Sequence, residues 1–145
     1  MTVTNFFVGI PAMLLCLIVQ LAAAFLGIRH SLLRLPHRRP APRGFPLVGH
    51  TLFVAMLILM VGNLFQIAIW GALFVCLGEF DEIYEAIYHS AVNFTSLGYG
   101  DVVMSKPWKL LGPLEAVNGV LMLGMSGATL LAILQQIIKS LRDDR

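Results

Sequence analysis

The chain has little charge. Only 12% of its 145 residues are Asp, Glu, Lys or Arg, whereas a soluble globular domain carries about 25%. With 58% hydrophobic residues and a mean hydropathy of +0.82, most of its surface is suited to lipid rather than water. Cysteine is nearly absent. Cys16 and Cys76 each lie within an apolar run, on opposite sides of a basic segment, so they read as small core- or lipid-facing residues rather than a disulfide or metal pair. There is no metal-ligand cluster, no Gly-rich phosphate loop followed by Lys and no nucleophile elbow, which argues against an enzyme. Arginine is missing from every long apolar run, so no voltage-sensor helix is expected. The short stretch after Ile138 is not expected to hold a soluble ligand-binding domain.

The charges that exist are segregated. Met1 to Ile28 carry none, and Arg29, Arg34, Arg38, Arg39 and Arg43 follow. Gly44 to Gly78 is again uncharged, the acids Glu79, Asp81, Glu82 and Glu85 come next, and a third uncharged run separates Glu115 from Lys139. Each run is long enough to cross a hydrocarbon core, which takes about 20 helical residues. Three spans in a cell (plasma or inner) membrane are expected, with residues 1–28 as the first and 29–46 as a basic cytoplasmic linker. The bias of Lys and Arg toward the cytoplasm puts the N-terminus outside and a tail at 139–145 inside. A cleaved signal peptide is the competing reading of the first run, but no basic stretch precedes it. The arginines read as a topology determinant near lipid headgroups rather than a nucleic-acid patch, and Pro36, Pro40, Pro42 and Pro46 keep that linker from being one continuous helix.

Residues 79 to 109 do not fit a plain loop. Ile83, Tyr84, Ala86, Ile87, Tyr88, Ala91, Val92 and Phe94 form an apolar-rich stretch too short to span, read as a re-entrant helix over 82–94. Asp81 is its expected N-cap, and Glu82 and Glu85 suit its positive end. Thr95-Ser96-Leu97-Gly98-Tyr99-Gly100-Asp101 must then leave the helix, because two alternating glycines oppose it and permit positive φ. Alternating left- and right-handed conformations point successive carbonyls the same way. Four copies around an axis would stack rings of carbonyl oxygens able to replace the hydration shell of a monovalent cation.

That string resembles the selectivity-filter signature of potassium channels, and the chain is similar to small prokaryotic two-span pore-module channels with one additional N-terminal helix. The resemblance covers about residues 47 to 138: outer helix 47–78, pore helix 82–94, filter 95–101 and inner helix 110–138. It implies an all-α integral membrane protein assembling as a homotetramer in lipid, conducting K⁺ as permeant ion and needing no cofactor. Carbonyls of Ser96, Leu97, Gly98 and Tyr99 would form the ion sites, with Gly100 completing the filter. The Ser96 hydroxyl would add an inner ring, and Thr95 would face the scaffold. Relatives usually carry Thr at the position of Ser96, so the hydroxyl is kept and a methyl lost. Where many place a Trp pair on the pore helix, this chain has Tyr88 and His89. Tyr88 and Trp108 are the implied filter supports.

Asp101 is either a filter-bracing acceptor, as the family motif favours, or a solvated charge at the mouth. From Gly78 to Lys109 five acids face two lysines, a net of −3 per chain, which concentrates cations without choosing among them. Glu115 is a candidate intramembrane functional group or, with Gly112 and Pro113 as a helix start, a first-turn acid favoured by the dipole. Asn63 and Gln66 read as interhelical hydrogen bonders. Asn118, Met122, Met125, Thr129, Ala132 and Gln136 share one helix face, which is either a cavity lining or a packing face. The expected function is a potassium-selective channel. The alternatives are a non-selective cation channel and a non-conducting subunit that co-assembles with another channel.

Overall fold

A computed structural model describes residues 2–34 and 45–143. Among them are four helices and no strand: α1 (Thr2–Arg34), α2 (Phe45–Cys76), α3 (Ile83–Phe94) and α4 (Leu111–Asp143). The helices α1, α2 and α4 contain 33, 32 and 33 residues, about 50 Å each at 1.5 Å per residue. All three are long and apolar enough to cross a membrane, so the chain is an all-helical, multi-pass membrane protein. The 12 residues of α3 reach only about 18 Å. This helix is packed between α2 and α4.

Several boundaries differ from the sequence expectation, α2 opening at Phe45 rather than 47 and α4 running Leu111–Asp143 rather than 110–138, and two further differences have a visible cause. The first helix does not stop at Ile28 but runs to Arg34, because charge ends a membrane span without ending a helix and no proline intervenes before Pro36. At the other boundary α2 ends at Cys76 rather than Gly78. Gly78, at φ +72, donates its N–H to Val75 O while Glu79 N–H reaches Phe74 O, the paired bonds of a left-handed helix cap. Arg38, Arg39, Arg43, Pro36, Pro40 and Pro42 lie outside the described residues.

Small side chains let α1 approach its neighbours. Gly9, Ala12, Cys16, Ala23, Ala24, Gly27 and Ser31 lie on its buried seam, which packs against α2 and α4. Ala23 Cβ lies so near Gly62 that a Cβ there would be 2.9 Å away. Close approach of this kind supplies the dispersion contacts that replace the hydrophobic effect between helices in lipid.

A polar network fixes the register of the three spans. Gln66 Nε2 donates to Gln20 Oε1 at 2.8 Å, and Gln20 Nε2 donates to Ser126 Oγ at 2.8 Å. Asn63 Nδ2 also donates to Ser126 Oγ, at 3.2 Å. Asn63 and Gln66 are thus the interhelical donors their positions suggested. Toward the other end of α1, Asn5 Nδ2 donates to Pro107 O at 2.7 Å. The main core cluster, with Trp70, Phe74, Phe80, Met104 and Leu111, also takes in Ala12, Cys16 and Ala86, so all four helices share it.

Candidate functional site

The site begins with how α3 starts and stops. Its N-cap position is held by Glu82, not Asp81, with extended backbone (φ −107, ψ 129) and no side-chain capping bond. The helix opens one residue later than the acidic pattern suggested, at Ile83, leaving Glu85 in the first turn. At the other end Ser96 N–H donates to Asn93 O at 2.8 Å and Leu97 N–H to Val92 O at 2.9 Å. These are the two bonds of a Schellman cap, whose C′ residue is left-handed. That residue is Ser96, at φ +58.

From there the backbone alternates. Positive φ recurs at Ser96 (+58), Gly98 (+61) and Gly100 (+74), while Thr95 before them has φ −86. Leu97 and Tyr99 are not among the positive-φ residues. The sequence anticipated two left-handed positions from its glycines and missed the third, because a serine carries no such signal. Thr95 turns back onto α3, its Oγ1 donating to Ala91 O at 2.6 Å. Residues 95 to 101 are all exposed in the single chain, with Leu97 at 57% and Tyr99 at 66%.

Three ties hold the segment that follows. Tyr88 Oη donates to Asp101 Oδ2 at 2.6 Å, and Val102 N–H donates to Asp101 Oδ1 at 3.1 Å. The Tyr88 bond holds the Asp101 carboxyl below its ordinary pKa and pushes the Tyr88 hydroxyl above its own. His89 Nδ1 lies 3.1 Å from Val102 O, and its Nε2 lies 2.9 Å from Asn93 Nδ2. Both contacts are satisfied by a neutral ring carrying its proton on Nδ1. Burial between Phe74 and Phe80, with ring centroids 5.6 and 5.2 Å away, lowers the His89 pKa, and the Val102 carbonyl partly offsets this. Glu79 closes the third tie, accepting from Ser105 N at 2.7 Å and from Ser105 Oγ at 2.5 Å. Trp108 packs, partly buried, against the main core cluster.

The inner surface of α4 is the buried line Glu115, Asn118, Met122, Ser126, Thr129, Ile133 and Ile137. Asn118, Met122 and Thr129, candidates for a cavity lining, are therefore packed inside the chain, and Met125 is half-buried. The helical period was legible. Its direction was not, because apolar residues cover the opposite face as well: Val117, Val120, Leu121 and Leu131 are exposed together with Gly124 and Ala128. Burial in the single chain divides the stripe: Asn118, Met122 and Thr129 are packed inside, Gln136 is half-buried like Met125, and Ala132 is exposed.

Close to α3, α4 makes backbone-level contact. A Cβ on Gly119 would lie 2.0 Å from Phe94 O and 2.8 Å from Phe94 Cα, and one on Gly112 would lie 3.3 Å from Asn93 Nδ2. Between these glycines, Glu115 is fully buried and its Oε1 lies 2.5 Å from Ser90 Oγ. As the fifth residue of α4 it points at α3 instead of serving the first turn. Ser90 and Ser105 escaped the sequence reading because an isolated serine marks no partner.

The geometry is thus a short helix, a sharply capped exit and an alternating loop braced between two spans. A family model described as "Ion channel" matches residues 53–136, more than half of the chain. The chain belongs to the ion channel family. The matched stretch runs from within α2, through α3 and the alternating loop, into α4, which makes it a two-span pore module. The extra helix α1 lies outside it. Comparisons with curated proteins and with solved structures gave no match. Within an ion channel, the ties at Asp101, Val102 and Ser105 hold the exit of the loop while the Schellman cap holds its entry.

Proposed function

We propose that four copies of this chain surround an axis and conduct K⁺ through rings of backbone carbonyls from Ser96, Leu97, Gly98 and Tyr99. The observation that carries this reading is the left-handed backbone at residues 96, 98 and 100 with the other hand between. Such alternation turns successive carbonyls toward one side, as stacked cation sites require. The exposure of residues 95 to 101 in a single chain supports assembly, since irregular backbone at membrane depth must be covered by protein or line a water-filled path. The free face of α4 at Leu121, Gly124 and Ala128, rather than the buried stripe, would then border the central cavity.

The same arrangement suits an outward mouth. Glu79, Asp81, Glu82, Glu85 and Asp101 flank α3 and the loop, whereas Arg29 and Arg34 end α1, and Lys139 and Arg142 end α4. The positive-inside bias then sets the N-terminus outside and the tail in the cytoplasm.

The test is cation flux into liposomes containing the purified protein, under a potassium and then a sodium gradient. Potassium flux far above sodium flux is expected, and Gly98→Ala should abolish it because Ala resists φ +61. Equal fluxes would replace selectivity with a general cation pore. No flux from a folded oligomer would favour a non-conducting subunit.

A further inference from the structure

A hydrogen count at the centre of the α2–α3–α4 junction assigns a role to Glu115. Ser90 Oγ lies 2.5 Å from Glu115 Oε1 and 2.8 Å from the main-chain oxygen of Ile67. A serine hydroxyl has one proton to donate. If Glu115 were a carboxylate, Ser90 would face two acceptors with one hydrogen, and one of these short contacts would set lone pair against lone pair. A proton on Glu115 resolves both: Oε1–H donates to Ser90 Oγ, and Ser90 donates to Ile67 O. The surroundings agree, since Glu115 is 0% exposed and its Oε2 has no hydrogen-bond partner. An orphaned oxygen is tolerable on a neutral acid and costly on an anion in a low-dielectric site.

We infer that Glu115 is a neutral carboxylic acid whose proton bolts α4 to α3 and, through Ser90, α3 to α2, making it a positioning residue for the loop at 95–101. The chain of donors crosses all three helices of the pore module. On α4 it stands one turn before Gly119, whose backbone touches Phe94, and Phe94 is two residues from Ser96. A shift of α4 at this point therefore moves the end of α3 from which the loop departs. Gln at position 115 keeps a donor of similar reach. Leu keeps volume but gives Ser90 nothing. The functional part of this inference rests on reading residues 96 to 99 as the ion filter, while the protonation itself does not.

Two measurements test it. Infrared difference spectra of the purified protein at neutral pH should contain a carboxylic-acid carbonyl band that disappears in Glu115→Gln. A wild-type spectrum with no such band would overturn the assignment whether or not the protein conducts. In liposomes, Glu115→Gln should keep potassium flux and the potassium-to-sodium ratio within about two-fold, the scale of one modest hydrogen bond. Glu115→Leu and Ser90→Ala should each lower that ratio by roughly ten-fold, the equivalent of one lost buried bond. The double variant should be no worse than the poorer single one, because both remove the same link. An unchanged ratio in Glu115→Leu, or additive losses in the double variant, would overturn the positioning role. Absence of flux from the wild type would sink the potassium reading instead, and the infrared band would still decide the proton.

Discussion

Replacing Gly119 with Ala should disable the pore, and the size of the effect follows from what the new methyl meets. A Cβ there would sit 2.0 Å from Phe94 O, 2.7 Å from Phe94 C and 2.8 Å from Phe94 Cα. All three atoms are backbone, so no side-chain rotation relieves the clash. Ordinary carbon contacts need about 3.5 Å, which means α4 and the end of α3 must separate by more than an ångström. Overpacking costs typically about 1–3 kcal/mol where side chains can adjust, and a backbone clash belongs at the upper end. Three kcal/mol is on the order of a 100-fold change in an equilibrium. Since Phe94 is two residues before Ser96, the shift falls on the loop that starts the alternating segment. Gly119→Ala should lose most potassium flux in liposomes at equal protein loading and should melt at a lower temperature than the wild type. Gly124→Ala, on the same helix with nothing within 4 Å, is the matched control and should melt like the wild type. Normal flux and melting in Gly119→Ala would refute the claim that α4 and α3 meet at backbone distance.

Tyr88→Phe removes the bond that holds the Asp101 carboxyl below its ordinary pKa. Stability linked to ionised Asp101 is present above the unfolded value and lost as pH falls through the folded one. The acid limb of a melting-temperature profile should therefore move to higher pH in Tyr88→Phe, and an unmoved limb would count against the tie. His89 has the same sign for a different reason: burial lowers its pKa below 6.5, so stability is full above that value and declines as pH falls toward the ring's own pKa. Protonation would also put hydrogen on Nε2 facing Asn93 Nδ2. His89→Gln should flatten the pH dependence of melting in this window, despite the offsetting pull of Asp101 and Glu79. Gln20→Leu cuts the links of α1 to Gln66 and Ser126. Interhelical hydrogen bonds in lipid are worth about 0.6–2 kcal/mol, so a melting temperature lower by a few degrees, with flux retained, is the expected result. Unaltered melting would mean that packing and the Asn5–Pro107 bond dock α1 without this network.

The spans were legible because each must be long, apolar and free of charge, and those demands act on every residue in the run. The loop at 95–101 was legible for the opposite reason: Gly98 and Gly100 are the residues that adopt positive φ without strain, so their spacing states the backbone directly. What stayed hidden depended on direction rather than composition. The stripe through Asn118, Met122 and Thr129 has a clear period, yet a helix surrounded by lipid and protein can be apolar on every side, and the period does not say which side faces inward. Glu115 posed the same difficulty. Its distance from the helix start suggested a dipole partner, while its contact with Ser90 requires knowing how α3 lies across α4. Gln20 stood out in no pattern at all, because its partners Gln66 and Ser126 are 46 and 106 residues away.

Ser96 joins the two kinds of information. From the sequence it looked like a loss, a hydroxyl retained without the methyl that relatives usually carry. In the structure it is at once the C′ residue of α3 and the first left-handed position of the alternating loop. Left-handed backbone costs a non-glycine residue about 1–2 kcal/mol, and a β-branched side chain makes it a more serious outlier. Serine thus occupies this φ with less strain than threonine, and the two capping bonds from Ser96 and Leu97 offset part of what remains. A glycine would relieve the backbone but remove the hydroxyl. Serine at this position therefore fits the left-handed cap from which the loop at 95–101 departs.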